Sequence, residues 1–264
     1  MKRLKHSDNG KTYGTPQPTL LLALFILVVL RIGSAQEQKL LIPVNLPDAS
    51  GLLHFENPKG SIAVTGYDGN MILVTATPRF NNEERKSANE DLLSYVKEES
   101  KVTLFCASKG NTIDVDIKLP RNFSLQLRVM DNGDVTVIRI QGDIVVDNTN
   151  GSIVLDNISG SAVLNSVYGP ITARFKKVRI DAPIMITTLE GDIELALPAD
   201  AQGRFKLKST RGSLISDDLI LHPVEKSSHP LADWDEFTLG NSKTEFILRT
   251  YNGNITINKY QREQ

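Results

Sequence analysis

The sequence predicts an all-β fold of the β-solenoid kind, similar to a parallel β-helix, with one inserted amphipathic helix. Three observations predict it. A glycine recurs at every ninth residue through Gly133, Gly142, Gly151, Gly160 and Gly169. Two places after each stands Val135, Ile144, Ile153, Ala162 or Ile171, and four places after stands Val137, Val146, Leu155, Leu164 or Ala173, which is strand periodicity launched from a fixed turn. The composition is 40% hydrophobic with 6% aromatic residues, and β-branched side chains dominate, which suits thin strand layers.

The glycines sort into two rows. Gly133, Gly151, Gly169, Gly191 and Gly212 form one, and Gly142 and Gly160 fall midway between its first members. A coil with a turn at each side is the expected arrangement, its two strands about 17 to 20 Å long, although nine-residue steps also fit an antiparallel meander that reverses at each glycine. Gly60 and Gly253 open segments with the same grammar. All nine are predicted structural turn glycines, placed where backbone with positive φ excludes side chains.

From the N-terminus, residues 1–35 read as a signal peptide: Lys2, Arg3, Lys5 and Lys11 lead, Leu20 to Leu30 is apolar, and Gly33-Ser34-Ala35 supplies small residues before Gln36. That run is shorter than the ~20 residues that span a bilayer. Retained, it would be the chain's one expected membrane attachment. Residues 36–264 are predicted to form a single domain.

Leu41 to Pro47 reads as an edge strand, since its prolines cannot donate to a ladder. Ser61 to Val64 and Met71 to Ala76 continue as strands. From Asn82 to Ser100 the residues turn to Glu, Lys, Ala and Leu, and Ala88, Leu92, Leu93 and Val96 share one helical face; this predicts the inserted helix. Strands resume at Val102 to Cys106 and Ile113 to Leu119. Leu46-Pro47, Leu119-Pro120 and Leu197-Pro198 each precede a turn glycine by a similar interval, which argues for a duplicated unit. Asp217 to Lys243 is a loop insertion with Pro223, Pro230, His222, His229 and the single tryptophan, Trp234. A full repeat, Phe246 to Lys259, closes the chain.

Charge and chemistry point away from several function classes. The net charge of −1 gives no footprint for nucleic acid. One cysteine, Cys106, forms no intrachain disulfide and sits in an alternating run, as a buried strand thiol does. Asp134, Asp143 and Asp192 follow turn glycines, yet Ser152, Ser161, Pro170, Ser213 and Asn254 hold the equivalent positions, so polar turn residues explain them better than a calcium ladder. His222 and His229 with Asp217, Asp218 and Asp235 match no metal-ligand spacing, and His54 has no evident partner. The outward positions Thr136, Val145, Val154, Val163 and Thr172 are inert and too apolar to be simply solvated, so a covering helix or protein is expected. Sequons stand at Asn122, Asn157 and Asn254. No catalytic, cofactor-binding or metal residue is assigned.

Leu119-Pro120-Arg121-Asn122-Phe123-Ser124-Leu125 leads into Asn132-Gly133-Asp134-Val135, then Ile140-Gln141-Gly142-Asp143-Ile144 and Asn148-Thr149-Asn150-Gly151-Ser152-Ile153. In this succession, echoed at Leu197 to Ala201 and Thr250 to Ile255, the chain resembles the bacterial putative-adhesin β-strand-repeat proteins, a family of unknown function in exported and envelope proteins. Tyr168, Glu190 and Arg211 depart from its preference for Asn before Gly. The resemblance implies a solenoid without known catalysis. The expected function is an exported, non-enzymatic, extracytoplasmic binding or scaffold module of the cell envelope, recognising an envelope protein or glycan through its stacked sheet face or the Trp234 loop. The alternatives are a polysaccharide-active enzyme on a β-helix scaffold, which needs convergent carboxylates, and an accessory of envelope-stress signalling.

Overall fold

The structure, a computed structural model, describes residues 37–44, 50–79, 91–107, 110–180, 182–216, 218–224 and 234–261. The signal segment, Leu46-Pro47 and His229 lie outside the described residues.

Strands begin where alternation begins. The first seven are β1 (Gln38–Pro43), β2 (Leu52–Asn57), β3 (Ile62–Tyr67), β4 (Met71–Arg79), β5 (Leu93–Lys97), β6 (Lys101–Cys106) and β7 (Thr112–Pro120). The regular repeat supplies β8 (Ser124–Asn132), β9 (Val135–Ile138), β10 (Ile144–Asn150), β11 (Ile153–Ile158), β12 (Ala162–Tyr168), β13 (Ile171–Phe175), β14 (Ile184–Glu190) and β15 (Ile193–Leu197). The last are β16 (Gly203–Arg211), β17 (Leu214–Ile215), β18 (His222–Pro223), β19 (Asp235–Leu239), β20 (Glu245–Asn252) and β21 (Ile255–Lys259).

They form two sheets. The first runs β1-β4-β7-β3-β9-β11-β13-β15-β21-β17, and the second β18-β19-β16-β20-β14-β12-β10-β8-β2-β6-β5. Pairing from β8 to β15 is parallel in both sheets, with consecutive coils in register: Ile144 lies beside Ala162 and Ile153 beside Ile171. Each nine-residue step is therefore half a coil, and a meander of reversing strands is excluded there. Pairing is antiparallel at the ends: β1 on β4, β4 on β7, β5 on β6, and β18 and β19 toward β16. Of the prolines expected to mark an edge, Pro43 does so at the end of β1, the outermost strand of the first sheet.

The plus-two and plus-four residues point inward from both sheets. Ile153, Leu155, Ile171 and Ala173 face Ile144, Val146, Ala162 and Leu164, and none of the eight is more than 1% exposed. Toward the C-terminal end, buried Phe205 and Phe246 stack with ring centroids 4.4 Å apart.

Three sequence expectations change. The predicted helix is not present over its described part: Leu93–Lys97 is β5, antiparallel to β6, and residues 82–90 lie outside the described residues. Leu93 and Val96, assigned to one helical face, are three apart and so occupy opposite faces of a strand: Leu93 is 2% exposed and Val96 52%. Among the described residues there is no helix. Second, the predicted loop contains strand: β19 extends the second sheet beyond β16, and half-buried Trp234 immediately precedes it. Third, stacking does not follow chain order at the ends. The β20–β21 coil lies between the β14–β15 and β16–β17 coils, so Gly253, not Gly212, follows Gly191.

Candidate functional site

At the corner where the second sheet crosses to the first, the glycines form a continuous file. A Cβ on Gly133 would lie 2.1 Å from the Gly60 carbonyl oxygen, one on Gly151 2.3 Å from that of Gly133, and one on Gly169 2.1 Å from that of Gly151. The file continues through Gly191, Gly253 and Gly212. Gly151 combines this crowding with a φ of 125°, whereas Gly133 has no positive φ and owes its identity to close approach alone. Gly142 and Gly160 repeat the crowding at the opposite corner.

Behind that file lies a row of buried and half-buried polar side chains. Asn57 Nδ2 donates to the Gly60 and Ile113 carbonyls, and Asn148 Nδ2 to those of Gly133 and Gly151, each at 2.8–3.0 Å. Thr188 donates to the Gly169 carbonyl, Thr250 to that of Gly191 and Ser209 to that of Gly253. Carbonyls that turn inward at the corner would otherwise be buried without a partner. Val129 interrupts the row, and Asn148 compensates by serving two coils.

The turn aspartates have structural partners. Asp134 Oδ1 accepts from the Ser152 amide and hydroxyl at 2.8 Å each, and Asp192 Oδ1 from the Asn254 amide at 2.7 Å. Burial pushes the Asp143 carboxyl up, but two bonds from Ser161 and the Arg179 guanidinium at 2.8 Å outweigh it and hold it below its ordinary value. Among the described residues no group of three metal-ligating side chains comes together.

Outside the same corner the structure forms a groove of about 300 Å³ lined by Lys59, Ser61, Arg79, Thr112, Asn132, Gly133, Asp134, Asn150 and Gly151. Asn150 donates its amide to Asn132 Oδ1, the two stacked one coil apart. Lys59 sits 3.5 Å from Asp131, and Arg79 2.6 Å from Asp114. Amides, hydroxyls, two cations and one carboxylate thus line a concave strip that runs along the stack. The Asn-before-Gly signature of Asn132 and Asn150 was visible in the sequence. Arg79 was not, since β4 reaches this corner only by reversing onto β7.

The outward residues predicted to share one apolar face divide between two. Thr136, Val154 and Thr172 stand in one row on the first sheet, Val145 and Val163 in another on the second. The second sheet also exposes Val167, Met185, Leu189 and Tyr251, with the Arg211 guanidinium 5.2 Å from the Tyr251 ring centroid. His222 lies in β18, exposed, and His54 faces outward from β2, its Nε2 3.8 Å from Glu56. Cys106, expected as a buried strand thiol, is half-buried at the end of β6, and burial pushes its thiol up to about 11.

Residues 130–258 match the family model described as Toastrack DUF4097. No curated protein matches the chain. Seven solved chains do. A crystal structure of a putative cell adhesion protein from Clostridium sporogenes ATCC 15579 is similar at 12% identity and a TM-score of 0.44, over 84% of this chain and 99% of that one. A putative adhesin from Bacteroides fragilis NCTC 9343 is similar at 10% identity and a TM-score of 0.35, over 85% and 98%. A putative lipid binding protein from Parabacteroides distasonis ATCC 8503 is similar at 10% identity and a TM-score of 0.24, over 87% and 98%.

Proposed function

We propose that the chain, of which residues 130–258 match the Toastrack DUF4097 model, is an exported, non-enzymatic binding module of the cell envelope whose corner groove engages a glycan. The observation that carries this reading is the groove's lining. Its amides and hydroxyls are stacked at the coil spacing, about 4.8 Å, a repeat along which the hydroxyls of an extended polymer find donors and acceptors in succession. Lys59 and Arg79 in the lining are already paired with Asp131 and Asp114, so the groove offers polar donors and acceptors without a net positive charge, which favours a neutral glycan. Glycosidic hydrolysis uses two carboxyl groups flanking the bond, and Asp134, the one carboxylate in the lining, already accepts two bonds from Ser152. That supports binding over cleavage.

Calorimetric titration with soluble fragments of envelope polysaccharide tests it. Binding is expected, with Asn150→Ala and Arg79→Ala each weakening it about tenfold, the equivalent of 1.4 kcal/mol. New reducing ends during incubation would establish the enzymatic alternative. Unchanged affinity in both variants would remove the groove from the reading.

A further inference from the structure

The outer face of the second sheet is self-complementary, and we propose that it binds a second copy of this chain face to face. Adjacent strands put Asp147, Asn165, Thr187 and Arg249 in one row across β10, β12, β14 and β20. A two-fold axis parallel to the strands, passing between β12 and β14, keeps every row opposite itself and reverses the order of the coils. Asp147 of each copy then meets Arg249 of the other, and Asn165 meets Thr187.

The flanking rows match as well. Val163 meets Met185 on one side and Val167 meets Leu189 on the other, a smaller side chain against a larger one in both cases. Met185, Leu189 and Val167 are 37%, 45% and 38% exposed, so the contact would cover apolar surface that water now meets. Arg128 would meet Lys208, a like-charged pair, but Glu56 flanks Arg128 at 3.6 Å and offsets it. An isologous contact of this kind closes at two subunits.

The test is a charge swap, read by sedimentation equilibrium on the protein expressed from its full sequence and processed by an exporting host. Wild type is expected to dimerise. Asp147→Arg and Arg249→Asp each place like charges at both ends of the row and should weaken dimerisation at least about tenfold, while the double variant restores it to within about threefold of wild type. Both side chains lie on the outer face, and circular dichroism of each variant checks that the fold is intact. A monomeric wild type, single variants that dimerise undiminished, or a double variant that does not recover would each overturn the proposal. Because no glycan is present in this experiment, its failure leaves the groove reading standing.

Discussion

At Gly151 two requirements coincide: a Cβ there would lie 2.3 Å from the Gly133 carbonyl oxygen, and the backbone φ of 125° disfavours any side chain. The obstacle is backbone held by the neighbouring coil, so it cannot swing aside. Gly151→Ala is therefore expected to lower stability by more than about 2 kcal/mol in urea unfolding. Gly133→Ala should lose a similar amount although its φ is unexceptional, which separates close approach from conformational strain. Asp143 carries a pH signature at the opposite corner. Its carboxyl is held below the ordinary value, so its contribution is complete above the unfolded-state pKa near ~3.9 and disappears as pH falls through the lower folded value. Thermal melts should show Asp143→Asn below wild type at pH 7 and the gap closing only in that acidic window. A gap that fails to narrow as pH falls below the unfolded-state value would count against the linkage.

Elements of the central stack were legible because their signal is local. A turn glycine and two inward residues recur within nine positions, so spacing located the strands and the turns between them, while parallel pairing decided that each step is half a coil. Coil order at the ends was not legible, because Gly212 and Gly253 open segments of the same grammar and neither records which coil it will pair with. Over Leu93–Lys97 the helix expectation failed for a related reason: Leu92, Leu93 and Val96 suit a helical face in sequence, and pairing with β6 decided for strand. The unexpected order has a consequence. Because β20–β21 joins the β14–β15 coil to the β16–β17 coil, ending the chain before Glu245 removes an internal layer and not a tail. Amide exchange in such a truncated protein should accelerate through β16 and β14, both of which lose a parallel partner. The polar row behind the corner makes a second claim at this scale. Asn148→Val strips donors from two carbonyls and is expected to cost about 1–3 kcal/mol per buried unsatisfied group. Ser166→Ala, whose hydroxyl has no partner, should cost little.

For the whole molecule, the groove and the sheet face are linked by the direction of the strands. The two-fold axis that brings Asp147 to Arg249 runs parallel to the strands, so it leaves the glycine corner of both copies at the same edge of the dimer while reversing the stacks. Two grooves would then open toward one side, near opposite ends of the assembly. A polymer or a surface displaying many copies of the glycan can occupy both, and the second contact is made at the high effective concentration set by the first. Binding to a glycan-coated surface should therefore exceed binding of a short soluble fragment by on the order of 10²-fold or more. Asp147→Arg, which lies outside the groove, should abolish that excess without changing affinity for the fragment. Biosensor measurements with immobilised polysaccharide, set beside titration with the fragment, read the two quantities separately. An excess that survives in the monomeric variant would mean that the grooves act singly.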